Sequence, residues 1–261
     1  MIFSLLILAH VLADFTLQPS VISRKKKDKL LYLLLHVLIY GVLSFLLTIG
    51  YFNLRLLAGL IVLAVGHGII DRFKVLLQRK YYIDDNRDYG MILEVFLADQ
   101  LFHIAFIALV VSFFQDLTPV ISSEQVIEIL TSFVPLLSYD QLYNWNFSFI
   151  ILALAILVFN MKGGTIFVRS LLLKYGSDIA ERGGKGKAIG NLERLLIIAF
   201  ILFGVYSLIG FVFTAKSVIR FKEVEISPDQ EFVEYYLIGS LGSIFLAVIS
   251  GFALKQLLAL V

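Results

Sequence analysis

Cysteine is absent from the 261-residue chain, which excludes disulfides, thiolate metal sites and a cysteine nucleophile. Charge is scarce too: charged residues make up 16% of the chain, against about a quarter in a soluble domain. The net charge of +2 gives no reason to expect nucleic acid as a partner. The first apolar stretch has neither a basic n-region nor a small-x-small cleavage site before Lys25, and it carries His10 and Asp14. It therefore reads as a retained helix and not as a signal peptide. What the chain has in plenty is apolar side chains, 59% of residues with a mean hydropathy of +0.91, arranged in long blocks.

Seven stretches fit membrane-crossing helices: roughly 2–19, 30–50, 54–76, 91–114, 147–161, 191–214 and 235–258. The fifth is short, ending at Asn160, Lys162 and the Gly163-Gly164 pair. Between the fourth and fifth lies 115–146, where apolar residues recur at helical spacing over 124–130 between Pro119 and Pro135, as in an interfacial helix. The loop after the first span holds five Lys/Arg, the 77–90 loop three and the 162–190 loop six. The 115–146 segment has none, and the three in 215–234 stand among five acids. The positive-inside rule then puts the N-terminus outside and the C-terminus in the cytoplasm. The expected fold is an all-α polytopic bundle of about seven spans in a bacterial cytoplasmic membrane. Its expected divisions are a four-helix part (1–114), an external segment (115–146) and a three-span companion (147–261).

Ionisable side chains inside a span are costly, and each is a functional hypothesis. Here they are His10, Asp14, His36, His67, Asp71, Asp99 and His103, with Gln18, Lys74 and Gln100 close by; all four histidines of the chain are among them. His10/Asp14, His67/Asp71 and Asp99/His103 are each spaced i,i+4, so each helix presents an imidazole and a carboxylate on one face. Counted from the span ends, all seven fall in the cytoplasmic half of the bilayer. Four imidazoles and three carboxylates suit a divalent metal, zinc first, as one or two ions. Asp14, Asp71 and Asp99 are the candidates for further ligand or general base. Gln18 and Gln100 are expected to support the ligands. Lys74 is expected to neutralise Asp71 or an anionic substrate, or else to snorkel to the interface. Taken singly, each His/Asp pair also reads as interhelical glue.

The strings Leu8-Ala9-His10-Val11-Leu12-Ala13-Asp14-Phe15-Thr16-Leu17-Gln18, His67-Gly68-Ile69-Ile70-Asp71-Arg72-Phe73-Lys74 and Asp99-Gln100-Leu101-Phe102-His103 resemble a bacterial membrane family catalogued as domain of unknown function 3307. The resemblance covers about residues 1–114, and His36 also fits it. It implies no activity. The motif style is similar to that of membrane-bound metal-dependent hydrolases.

The second half reads as a companion bundle. Its glycine-rich basic stretch, 162–194, is not a P-loop, because the GxxxxGK[ST] spacing is missing. Lys185, Lys187 and Arg194 there are candidates for anions or lipid headgroups, with a plain positive-inside loop as the simpler reading. Gly239, Gly242, Gly251, Ser240, Ser243 and Ser250 give the last span small residues for close packing. The partners expected are the bilayer and its anionic headgroups, with a homo-oligomer allowed. The first-ranked function is a metal-dependent hydrolase acting on a lipid-like or phosphorylated substrate near the cytoplasmic leaflet. The alternatives are a proton or divalent-cation transporter using the His/Asp ladder, and a non-catalytic membrane subunit or sensor.

Overall fold

The computed structural model describes residues 1–82, 91–114, 116–120, 125, 128, 132, 146–174, 184–226 and 230–260. Among them the regular elements are nine α-helices with short π and 3₁₀ turns, and no strand. We label them α1 (Ile2–Val11), α2 (Ser20–Lys25), α3 (Leu30–Thr48), α4 (Leu54–Tyr82), α5 (Ile92–Val111), α6 (Phe147–Lys174), α7 (Gly184–Leu202), α8 (Ser207–Ile226) and α9 (Gln230–Leu258). Among the described residues five helical stretches are long and apolar enough to cross a bilayer: Leu30–Tyr51, Leu54–Lys80, Ile92–Phe114, Phe147–Lys174 and Val233–Leu258. Ile2–Thr16 and Ser207–Val218 are apolar but shorter.

The side-chain distribution of α3 is that of a membrane helix. Leu31, Leu34, Leu38, Val42 and Leu46 are exposed, while His36, Tyr40, Ser44 and Thr48 are buried. In water the leucines would turn inward; facing hydrocarbon, the polar stripe does. The protein is an all-helical membrane protein.

The chain forms two compact units. The first is Met1–Phe73 with Asp99–Ala155 and Leu257–Val261; the second is Lys74–Ala98 with Ile156–Gln256. The division runs through α4, α5, α6 and α9 instead of following chain order.

In the first unit Leu6, Ala9 and Ala13 pack with Tyr40, Leu56, Leu60, Leu63, Ile107 and Val110. Asn53 starts α4, its Oδ1 accepting the Leu56 amide at 2.7 Å, an N-cap that supplies one of the orphan donors with an acceptor. After α1 the helix widens into a π turn, Leu12–Thr16, closed by Leu17 N–H to the Leu12 carbonyl at 2.7 Å. Inserted π turns concentrate at functional sites, and this one carries Asp14.

In the second unit two expectations need correcting. The fifth span is not short: α6 runs 28 residues, straight through Gly163 and Gly164. A Cβ on Gly164 would lie 2.9 Å from Arg194 Nε and 3.1 Å from Leu246 Cδ2, so the glycine makes room for packing and does not end the helix. Nor is 191–214 one helix. Gly204, at φ +75°, ends α7 by donating to the Ile201 carbonyl at 3.1 Å, while Val205 donates to the Phe200 carbonyl at 2.8 Å. This is a Schellman C-cap, and α8 begins anew at Ser207. Much of the stretch expected to be a loop, 162–190, is therefore helical. The interfacial helix expected over 124–130 lies outside the described residues apart from Gln125 and Glu128, which are helical. Along α9 the small residues permit close approach. A Cβ at Gly242 would sit 2.4 Å from Leu171 Cδ2, and one at Gly251 2.7 Å from Ile201 Cδ1; Ser240, Ser243 and Ser250 are buried.

Candidate metal centre

The seven ionisable groups converge inside the first unit, carried by α1 with its π turn, α3, α4 and α5. His10, His36, His67, Asp71, Asp99 and His103 are all buried, and the Asp14 side chain is 7% exposed. For His10/Asp14 and His67/Asp71 the i,i+4 partners are not one another's nearest neighbours. Within the pairs the separations are 3.9 Å for His10/Asp14, 4.0 Å for His67/Asp71 and 3.6 Å for Asp99/His103. Between helices they are shorter. His36 Nε2 lies 3.0 Å from His67 Nε2, 3.2 Å from Asp14 Oδ1 and 3.2 Å from Asp71 Oδ2, and His67 Nε2 lies 3.4 Å from Asp14 Oδ1. Helical spacing turned each pair inward; around His36 and His67 the shortest contacts are made across helices.

Two Nε2 atoms at 3.0 Å cannot both carry a proton. At most one of these two nitrogens therefore donates, whether to the other imidazole or to a neighbouring carboxylate oxygen. Ordinary hydrogen bonding accounts for only part of this convergence.

The tautomers of the other two histidines follow from their neighbours. His103 Nδ1 lies 2.8 Å from the Asp99 carbonyl oxygen, an obligate acceptor, so Nδ1 holds the proton and Nε2 presents its lone pair. Gln100 Nε2 donates to Asp99 Oδ2 at 2.9 Å, which leaves Gln100 Oε1 to accept from His10 Nε2 at 3.2 Å. His10 Nδ1 is then the bare nitrogen. Among the described residues neither His10 Nδ1 nor His103 Nε2 has a hydrogen-bond partner. The rings stack closely: His10 on His103 at 4.7 Å, and Tyr40 on His67 at 4.4 Å.

Three groups of donors each lie within 4.8 Å of one another: Asp14/His36/His67, His10/His67/His103 and Asp71/Asp99/His103. Each could hold a metal ion.

Gln18 is half-buried, and its Nε2 has no hydrogen-bond partner among the described residues. Gln100 joins His10 to Asp99. Lys74, partly buried on α4, is counted in the second unit. Asp71 pairs with Lys26, whose Nζ donates to Oδ2 at 2.6 Å from a buried position. Sequence reasoning missed it because Lys26 stands third in a run of five basic residues. Tyr40 was missed as well, although it lies four residues after His36 and so on the same helical face.

In the second unit Lys187 is exposed, and the Lys185 side chain lies outside the described residues. Arg194 is only 2% exposed and is not at a headgroup surface. Its guanidinium donates to the Asn160 carbonyl (2.8 Å), Ser243 Oγ (3.1 Å), Thr165 Oγ1 (3.0 Å) and Asn191 Oδ1 (2.6 Å). It ties α6, α7 and α9 together. The adjacent Glu193 pairs instead with Lys216 of α8 at 2.6 Å.

Comparison with known proteins gives one family: the family model described as "Protein of unknown function (DUF3307)" matches residues 2–134. No curated protein and no solved structure matches the chain.

Proposed function

The chain belongs to the DUF3307 family, and on that footing we propose that its His/Asp cluster is a centre for one divalent metal ion that serves hydrolysis at the membrane. The observation that carries this reading is the triangle of Asp14 Oδ1, His36 Nε2 and His67 Nε2, with edges of 3.0, 3.2 and 3.4 Å. Ligands on a tetrahedral zinc at ~2.0–2.1 Å stand about 3.4 Å apart, so the triangle has the size of one face of that tetrahedron. Charge supports a single ion. Among the described residues, with neutral imidazoles, the carboxylates of Asp14, Asp71 and Asp99 outnumber the buried ammonium of Lys26 by two. One divalent cation makes the cluster neutral, which a low-dielectric interior favours.

Asp14, His36 and His67 would hold such an ion, which would lower the pKa of a coordinated water and polarise a phosphoryl or acyl oxygen. His103 is the general base, with its Nε2 lone pair free and its Nδ1 proton held on the Asp99 main-chain carbonyl. The main-chain carbonyl of residue 99 thus orients the base; Asp14 is a ligand, and Asp71 is a ligand or its support. The exposed cations Arg24, Lys25, Lys27 and Lys29 suit an anionic, lipid-like or phosphorylated substrate. In this reading the basic loops face the cytoplasm of a bacterial cell. The chain crosses seven times, with α7 and α8 sharing one broken crossing.

The test is metal analysis of protein purified without added metal. One zinc or similar ion per chain is expected, lost in His67→Ala. Metal-free protein with an intact fold would sink the reading.

A second reading, transport, gains from one observation. The polar stripe of α3 continues past His36 through Tyr40, Ser44 and Thr48, all buried, to the far end of the helix. Metal or proton flux in liposomes of the purified protein would move transport to first place.

A further inference from the structure

We propose that Lys26 is a built-in counter-cation that weakens the cluster's hold on its metal and limits it to one ion. The inference rests on the metal reading above. Four of the five basic residues between 24 and 29, namely Arg24, Lys25, Lys27 and Lys29, are exposed, and Lys26 alone is buried. A lysine in such a loop reaches water at no cost, whereas burying its ammonium is costly unless it is paired. Its inward turn therefore requires a strong partner, and the partner is Asp71 Oδ2 at 2.6 Å.

That oxygen is also the natural fourth corner of the metal triangle. It lies 3.2 Å from His36 Nε2 and 4.0 Å from His67 Nε2. An oxygen that accepts from an ammonium is a poorer metal ligand, and the two cations would repel each other with little solvent screening between them. Lys26 and the metal thus compete for one carboxylate.

The loop that delivers Lys26 is anchored next to that site. Arg72, the residue after Asp71, donates from Nη1 to the Lys27 carbonyl at 3.4 Å. The same short stretch of chain supplies Asp14 before the loop and His36 after it. Metal affinity and the position of the basic loop are therefore linked, each shifting the other by the same free energy. The competition also gives the charge ceiling a residue: remove Lys26, and the carboxylates are left in excess by three.

The experiment measures Zn²⁺ affinity of the full-length protein in detergent, by competition with a chromogenic chelator, for the parent, Lys26→Gln and Lys26→Arg. Lys26→Gln is expected to bind zinc at least about tenfold more tightly than the parent, about 1.4 kcal/mol. It should also show a larger rise in melting temperature on zinc addition. Lys26→Arg, which keeps the charge, is expected to match the parent within about threefold. Equal or weaker binding by folded Lys26→Gln, or a tenfold gain in Lys26→Arg, overturns the proposal while leaving the metal site standing. Zinc absent from the folded parent and from both variants overturns the metal reading itself. If Lys26→Gln folds only when zinc is present, that linkage supports the competition. If it does not fold even with zinc, Lys26→Met takes its place against the same criteria.

Discussion

His36 and His67 touch through like atoms, Nε2 to Nε2 at 3.0 Å, with Asp14 Oδ1 close to both. His10 and His103 lie beside them as a second donor set that shares His67. The two sets make different predictions. If the ion sits on the tight triangle, His36→Ala and Asp14→Ala lose it, whereas His103→Ala keeps about one ion per chain and loses the base, costing roughly 10²–10⁴-fold in hydrolytic rate. Metal analysis of the three variants checks this. Zinc lost from His103→Ala as completely as from His36→Ala would place the ion on His10, His67 and His103 instead. Ligation also requires bare imidazoles and carboxylates, because protons compete with the metal for the same lone pairs, so zinc is expected to dissociate as pH falls. A chelator titration at pH 7.5 and 5.5 reads that directly; equal affinity at the two values would contradict imidazole ligation.

At the scale of the element, glycine carried a signal that sequence reasoning assigned to the wrong places. Gly163-Gly164 reads as the end of a span, yet α6 continues through it, because the missing Cβ lets Arg194 and Leu246 approach. The break falls at Gly204, inside a run that reads as one continuous span, because only a left-handed residue closes the Schellman cap there. Propensity cannot separate a glycine needed for packing from one needed for a turn; tertiary contact decides. The two should respond differently to alanine. Gly204→Ala costs about 1 kcal/mol for its positive φ, with open space around the new methyl. Gly164→Ala drives the methyl into Arg194 and Leu246 and costs about 1–3 kcal/mol. Thermal unfolding in detergent should rank Gly164→Ala below Gly204→Ala, and the reverse order would remove the packing role given to Gly164. Arg194 has a matching test. Lysine cannot reproduce a fork that meets acceptors on three helices, so Arg194→Lys is expected to lose about 2 kcal/mol or more. A melting temperature equal to that of the parent would show that the guanidinium network adds nothing lysine lacks. The π turn at Asp14 had no readable signal: Leu12-Ala13-Asp14-Phe15-Thr16 suits an ordinary α-helix, and the widening appears only as an i→i−5 bond.

Across the whole molecule, what could be read from the sequence was what the bilayer makes expensive. Seven ionisable groups in apolar helices stand out against hydrocarbon, and helical periodicity turned them inward, so the membrane class and the cluster's membership were both legible. Lys26 was hidden by its company, since a basic run is the ordinary mark of a cytoplasmic loop, and only the fold shows one of its lysines reaching Asp71. The α3 stripe was hidden for a related reason. Tyr40, Ser44 and Thr48 carry no charge and cost little in a helix, so they do not stand out in the sequence as the ionisable groups do. The stripe is where enzyme and transporter part. In an enzyme open to one side, its hydroxyls serve helix packing; Thr48 already donates to its own helix at the Ser44 carbonyl, at 2.6 Å. In a carrier they would have to line a path, and filling that path with Ser44→Leu would stop flux while leaving the ion bound. The hydrolase reading therefore predicts that proteoliposomes of the parent bind zinc but pass none across the bilayer. It also predicts that Ser44→Leu changes stability by about 1–3 kcal/mol through overpacking and leaves zinc content at one ion per chain. Zinc flux by the parent that Ser44→Leu abolishes would overturn the hydrolase in favour of a carrier using the same ligands.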